Sequence, residues 1–135
     1  MIIKNPAPRG NGGKLAAYLL NEKKNERAEL LEMRGWNTPT LKGAFAFTEE
    51  KTRATQCHNP FYHVSFRAAP GETLTPEQWQ LCADRLEKKL ELENHNRALV
   101  LHHYKGGTHL HVVWDRIDER TLKAAALSFD HTKSN

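Results

Sequence analysis

The sequence predicts an α+β domain, a central antiparallel β-sheet flanked by α-helices. Three observations carry this. Thr75-Pro76-Glu77-Gln78 opens a capped amphipathic helix, the β-forming run Phe61-Tyr62-His63-Val64-Ser65-Phe66 precedes it, and two further runs, 97–104 and 108–117, flank a glycine-bearing connection. Helices that accompany hairpin-connected strands collect on the faces of one sheet. With 135 residues the chain can bury one core, so residues 1–135 read as a single domain. The polar end at Asn135 also suits an N-terminal fragment of a longer protein.

Met1-Ile2-Ile3-Lys4 is a short strand, broken by the proline- and glycine-rich stretch 5–13. Leu15, Leu19, Leu20, Leu30 and Leu31 have helical spacing, predicting a helix from about 14 to 33 that ends before Gly35. Thr38-Pro39 reads as a helix start, with a second helix over 39–53, although Phe45 and Phe47 would also suit a strand. Residues 61–66 form a strand that ends at Ala69-Pro70-Gly71. In the next helix Thr75 caps, Pro76 fits the first turn and Gln78 completes a capping box. That helix runs to about residue 93, with Trp79, Leu81, Cys82, Leu86, Leu90 and Leu92 apolar and Glu87, Lys88, Lys89, Glu91 and Glu93 solvated. A hairpin follows, closed across Lys105-Gly106-Gly107. Residues 122–127 are weakly helical.

Charged residues make up 27% and hydrophobic residues 39%, as in ordinary soluble domains, and no apolar run reaches membrane-span length. Cys57 and Cys82 lack metal-site or disulfide-scaffold spacing and read as reduced and buried. The formal charge of +4 favours an anionic partner. Eight histidines, four of them between 102 and 111, are the unusual feature.

Strand side chains alternate faces. In the second hairpin strand His109, His111, Val113 and Asp115 therefore share a face. A hairpin closed from Tyr104 to Thr108 sets His103 opposite His109 and Leu101 opposite His111, gathering three imidazoles on one surface. Three imidazoles suit a divalent transition-metal ion and leave coordination positions open for chemistry. By the same parity His102 points the other way; His63 is open between the cluster and burial elsewhere.

The segment Leu101-His102-His103-Tyr104-Lys105-Gly106-Gly107-Thr108-His109-Leu110-His111, continuing to Ile117, resembles the three-histidine motif of plasmid mobilisation relaxases. These are MobA/VirD-like nuclease domains of the HUH endonuclease superfamily. Leu110 fills the bulky apolar position, and His103 matches the first histidine by its spacing to His109. Upstream, Tyr62–Arg67 with Pro70-Gly71-Glu72 resembles the family's strand and loop before a long helix. Lys14-Leu15-Ala16-Ala17-Tyr18-Leu19-Leu20 resembles its tyrosine motif. The matches span about residues 1–118. Two positions depart from the pattern: Tyr104 or Lys105 stands where members often carry aspartate, and Asp115 where they often carry asparagine.

The resemblance implies a relaxase: metal-dependent, strand-specific nicking of transfer-origin DNA for conjugative plasmid mobilisation. Tyr18 would be the nucleophile, forming a link to the 5′ phosphate, with Tyr104 and then Tyr62 as alternatives. His103, His109 and His111 would hold the metal. Mn or Mg is the expected ion and Zn, Co or Ni the alternatives; imidazole donors suit Mg least. Asp115 would orient a metal-bound imidazole from behind or pair with Arg97 opposite. Lys14, Arg67, Lys105 and Arg116 would contact DNA, with Trp36 and Trp114 as candidate base platforms. The implied partners are single-stranded DNA at a transfer origin and accessory relaxosome or secretion-coupling proteins. No membrane insertion and a cytoplasmic location complete the expectation. The competing readings are a relaxase-fold protein that binds DNA or a partner without cutting, and a cupin-like site on His109-x-His111. The all-β cupin architecture conflicts with the capped helix from Thr75.

Overall fold

The computed structural model describes residues 2–21, 26–55, 57, 59–69, 71–104 and 107–117. The expected weak helix at 122–127 and the DNA contact assigned to Lys105 lie outside them. In chain order the elements are β1 (Ile2–Arg9), α1 (Gly12–Leu20), β2 (Glu26–Arg34), α2 (Leu41–Lys51) with a 3-10 turn at Thr52–Ala54, β3 (Phe61–Arg67), α3 (Pro76–Leu90), β4 (Arg97–Tyr104) and β5 (Gly107–Asp115). All pairings are antiparallel and the sheet order is β1-β3-β5-β4-β2. The α+β expectation holds.

The capped helix forms as its sequence dictates. In α3 the Thr75 hydroxyl accepts from the Gln78 N–H at 3.2 Å, and the Gln78 side chain accepts from the Thr75 N–H at 2.8 Å. Trp79, Ala83, Leu86 and Leu90 pack on Tyr62, Val64, Phe66, Leu99, Leu101, Leu110, Val112 and Trp114 of the sheet. Burying each leucine there contributes about 2 kcal/mol. Glu87 departs from the expected solvated side: it is buried and meets Arg34, Arg97 and the Trp114 Nε1–H. Leu81 instead faces outward.

The opposite face is covered by α1 and α2. Leu15, Ala16, Leu19, Leu41, Ala44 and Phe45 pack with Trp36 against Phe61, Ala98, Val100 and Val113. Gly12 allows the close approach of these helices. A Cβ there would lie 2.9 Å from the Phe45 Cβ and 2.8 Å from the Glu49 carboxylate, which accepts from the Gly12 N–H.

Three expectations about the first third of the chain are corrected. The helix proposed from 14 to 33 is two elements, α1 and the strand β2. Ala28, Glu29, Leu30, Glu32 and Met33 are good helix formers, but pairing with β4 from Glu26↔Tyr104 to Arg34↔Arg97 overrides that preference. The first strand also runs on to Arg9, through Pro6 and Pro8, with a register shift between Lys4 and Ala7. The second helix begins two residues later than expected, at Leu41, because Thr40 is the cap and accepts from the Gly43 N–H at 3.0 Å. Cys57 and Cys82 are free but half-buried rather than buried.

Candidate metal and nucleophile site

The register between β4 and β5 decides which histidines meet. Tyr104 pairs with Gly107, so the ladder runs His103↔Thr108, His102↔His109 and Val100↔His111. Gly107 is thus the first strand residue rather than the last of the loop, at φ +141°, a conformation that favours glycine. This one-residue difference turns every β4 side chain to the other face. His102, not His103, therefore lies with His109 and His111. His103 points to the α3 face, with Nε2 3.0 Å from Glu29 Oε1 and Nδ1 3.4 Å from Thr108 Oγ1. On the other side of β5, the pairing Ser65↔His111 and His63↔Val113 brings His63 to the same cluster.

Four imidazoles therefore gather under α1. The His111 ring centroid lies 4.5 Å from His102, 5.1 Å from His63 and 6.5 Å from His109. His63, His102 and His111 are buried and His109 is half-buried. Burial first, and then the His63, His102 and His109 rings, push the His111 pKa down from 6.5 to about 3. That ring is neutral at neutral pH, the state a metal ligand requires.

The hydrogen bonds also fix where lone pairs stand. The Leu19 carbonyl can only accept, so His102 donates from Nε2 and keeps its lone pair on Nδ1. The Arg67 Nε–H can only donate, so His109 accepts at Nε2 over 2.7 Å, and the Tyr104 hydroxyl meets the same nitrogen. Between His63 Nε2 and His111 Nδ1, 2.9 Å apart, one nitrogen donates and the other accepts. As the rings stand, no three His, Cys, Asp or Glu side chains among the described residues are arranged to hold a metal ion. The donor set nevertheless fits a divalent ion, since turning His109 out of its bonds to Arg67 and Tyr104 frees a lone pair already in place.

Tyr18 stands over this cluster. Its ring centroid is 5.7 Å from His111, 6.1 Å from His63 and 6.4 Å from His102, and the residue is 51% exposed. Leu15 and Leu19, its neighbours on α1, are buried, so the helix anchors one face and offers the tyrosine on its rim. Tyr104, the alternative, lies on the same sheet face against His109, at 4.8 Å between centroids. Tyr62 is fully buried on the α3 face.

Across residues 18–135 the chain matches the family model for the MobA/VirD2-like relaxase nuclease domain. The chain belongs to the relaxase family. Searches of curated proteins and of solved structures gave no match. Membership carries DNA nicking as the family's general activity and a general dependence on a metal ion.

Other expected site residues of this relaxase domain fall in different places. Asp115 shares the histidine face by parity, but four residues along a strand separate it from His111 by about 13 Å. It is fully buried, paired with Lys51, and accepts from Thr48 Oγ1 at 2.7 Å and from the Ile117 N–H at 2.9 Å. It therefore orients no imidazole of the cluster. Nor does it meet Arg97, which projects to the opposite face toward Glu32 and Asp84. Lys14 is exposed one helical turn before Tyr18, and Arg67 borders His109. Arg116 lies at the far end of the sheet, donating to the Asn59 carbonyl at 2.9 Å. Trp36 and Trp114 are buried core residues, which removes both as base platforms. Among the described residues no helix is long and apolar enough to cross a membrane.

Proposed function

We propose that this domain nicks single-stranded DNA at a transfer origin by attack of the Tyr18 hydroxyl on one phosphodiester. An exposed tyrosine within one ring-width of a buried histidine cluster is the observation that carries this reading. The new bond joins the phenolic oxygen to phosphorus and the P–O3′ bond breaks, leaving a 5′-phosphotyrosine and a 3′-hydroxyl. No bond energy is lost to hydrolysis, so the strand can be rejoined. A phenol of pKa about 10 is mostly protonated at neutral pH and needs help.

His102, His109 and His111 are the proposed ligands of a divalent cation, with His63 beside them. When bound, that cation acts as a Lewis acid toward the scissile phosphate. The Leu19 carbonyl fixes the His102 tautomer, the task for which metal sites often use a carboxylate. This accounts for a site that works without aspartate at 104 or 105. Half-exposure of Tyr18 lets water take the phenolic proton as the bond to phosphorus forms and return one to the departing 3′ oxygen. Lys14, exposed one turn before Tyr18, and Arg67, beside His109, supply positive charge for the strand's backbone, whereas Arg116 is engaged at the far end of the sheet. Conjugative mobilisation is the setting this chemistry serves.

The test is incubation of end-labelled single-stranded transfer-origin DNA with Mn²⁺, resolved on a denaturing gel. A covalent protein–DNA adduct that Tyr18→Phe abolishes, with DNA binding spared, is the expected result. An undiminished adduct in Tyr18→Phe moves the role to Tyr104. Binding without any adduct in the unaltered protein favours a fold that recognises DNA without cutting it.

A further inference from the structure

Beneath the β4–β5 hairpin, where it faces the loop between β3 and α3, two adjoining hollows of about 210 Å³ and 320 Å³ share Ala68, Glu72, Gly107 and Thr108. The smaller contains Arg67 and Tyr104, the two side chains bonded to His109. The groove therefore opens directly beside the histidine cluster. The larger reaches the α3 face, where Trp79, Leu74 and Leu101 give an apolar floor and Glu29, Glu72 and His103 a polar wall.

We propose that this groove takes one unstacked nucleobase of the bound strand and selects a base bearing an exocyclic amine over thymine. The proposal rests on the relaxase reading above. Charge distribution says which part of the strand enters. Two carboxylates in the larger hollow repel a phosphate, whereas Arg67 at the mouth attracts one. An apolar floor beside hydrogen-bonding groups suits a flat heterocycle, the pattern by which single-stranded bases are held. Carboxylates accept from the amines of cytosine and adenine, while thymine presents a carbonyl oxygen and a methyl group at the corresponding edge. Guanine also offers an amine, at a different position.

Glu29 is placed for this by the sheet. It stands opposite Leu101 on the α3 face of the edge strand β2, and His103 holds its Oε1 at 3.0 Å. Thr108 lies within 3.4 Å of the other nitrogen of His103, so carboxylate, imidazole and hydroxyl form one row along the wall. The histidine that the register removes from the metal cluster thereby acquires a role in reading sequence.

The experiment uses a single-stranded oligonucleotide pool with a randomised window, incubated with Mn²⁺ and the full chain; covalent adducts are recovered and sequenced. Unaltered protein is expected to disfavour thymine by about tenfold at one position near the cut, the discrimination one good base contact provides. Glu29→Ala is expected to erase that preference at that position alone, with the preferences at the remaining positions kept. Glu29→Gln, which retains an acceptor oxygen, restores part of it. Identical preferences in Glu29→Ala and unaltered protein at every position overturn the base groove while leaving nicking intact. No adduct from unaltered protein with any sequence overturns the nicking reading and this inference together.

Discussion

Replacing His102 and His103 in turn by alanine separates two registers that differ by one residue. His102 is buried, 4.5 Å from His111 between ring centroids, and its Nδ1 lone pair is the one proposed for the metal. Loss of a group that merely orients a ligand costs about 10–100-fold in metal affinity. Removal of the ligand ring itself is therefore expected to cost at least about 100-fold, or about 2.7 kcal/mol. His102→Ala also strands the buried Leu19 carbonyl, at about 1–3 kcal/mol of folding stability, which a domain of this size can absorb. The His103 ring is 29% exposed and bound to a Glu29 that is itself 44% exposed, on the other side of the sheet. His103→Ala should leave metal affinity nearly unchanged. Calorimetric titration with Mn²⁺ reads both affinities, and circular dichroism melts confirm that both variants fold. A loss in His103→Ala equal to or larger than that in His102→Ala would refute the assigned face.

Three further outcomes follow from the buried polar groups and the helix contact. Lys51→Met leaves the fully buried Asp115 without its cation and should destabilise the domain by about 3–5 kcal/mol in urea melts, whereas Arg53→Ala, at an exposed pair, should do little. In chelator-treated protein His111 binds a proton more readily unfolded than folded, because its folded pKa is near 3 against 6.5. Stability is thus whole above pH about 6.5 and is lost as pH falls toward 3, with about 2 kcal/mol gone between about pH 7 and pH 5; a urea midpoint that does not fall over that interval refutes it. Gly12→Ala forces a methyl against the Phe45 Cβ and the Phe61 ring, each at 2.9 Å, and should lower the melting temperature by an overpacking cost of about 1–3 kcal/mol.

Features set by neighbouring residues were legible in the sequence, and those set by distant pairing were not. The Thr75 and Gln78 cap fixes the start of α3 from a four-residue signal, and β-formers around a glycine turn announce the hairpin. Which residues face one another depends on whether Gly107 closes the loop or opens the strand. Composition is silent on that choice, and it exchanges His102 for His103. The preference of hairpins for the shortest connections was the available signal, because it favours Tyr104 opposite Gly107. His63 joins the cluster only because β3 lies beside β5, an adjacency that no local pattern encodes. Residues 26–34 misled for the complementary reason, since their helix-forming side chains are held extended by β4. Asp115 had the right parity but the wrong distance along the strand, and α2 claims its carboxylate through Thr48 and Lys51.

Both rims of the sheet are poor templates for another chain. On one side Pro6 and Pro8 remove two amide donors from β1 and the ladder slips between Lys4 and Ala7; on the other, the register of β2 breaks between Leu30 and Glu32 in a strand that carries five charged residues. Irregular, charged borders resist edge-to-edge aggregation. Growth of this sheet by addition of a further strand is thereby disfavoured.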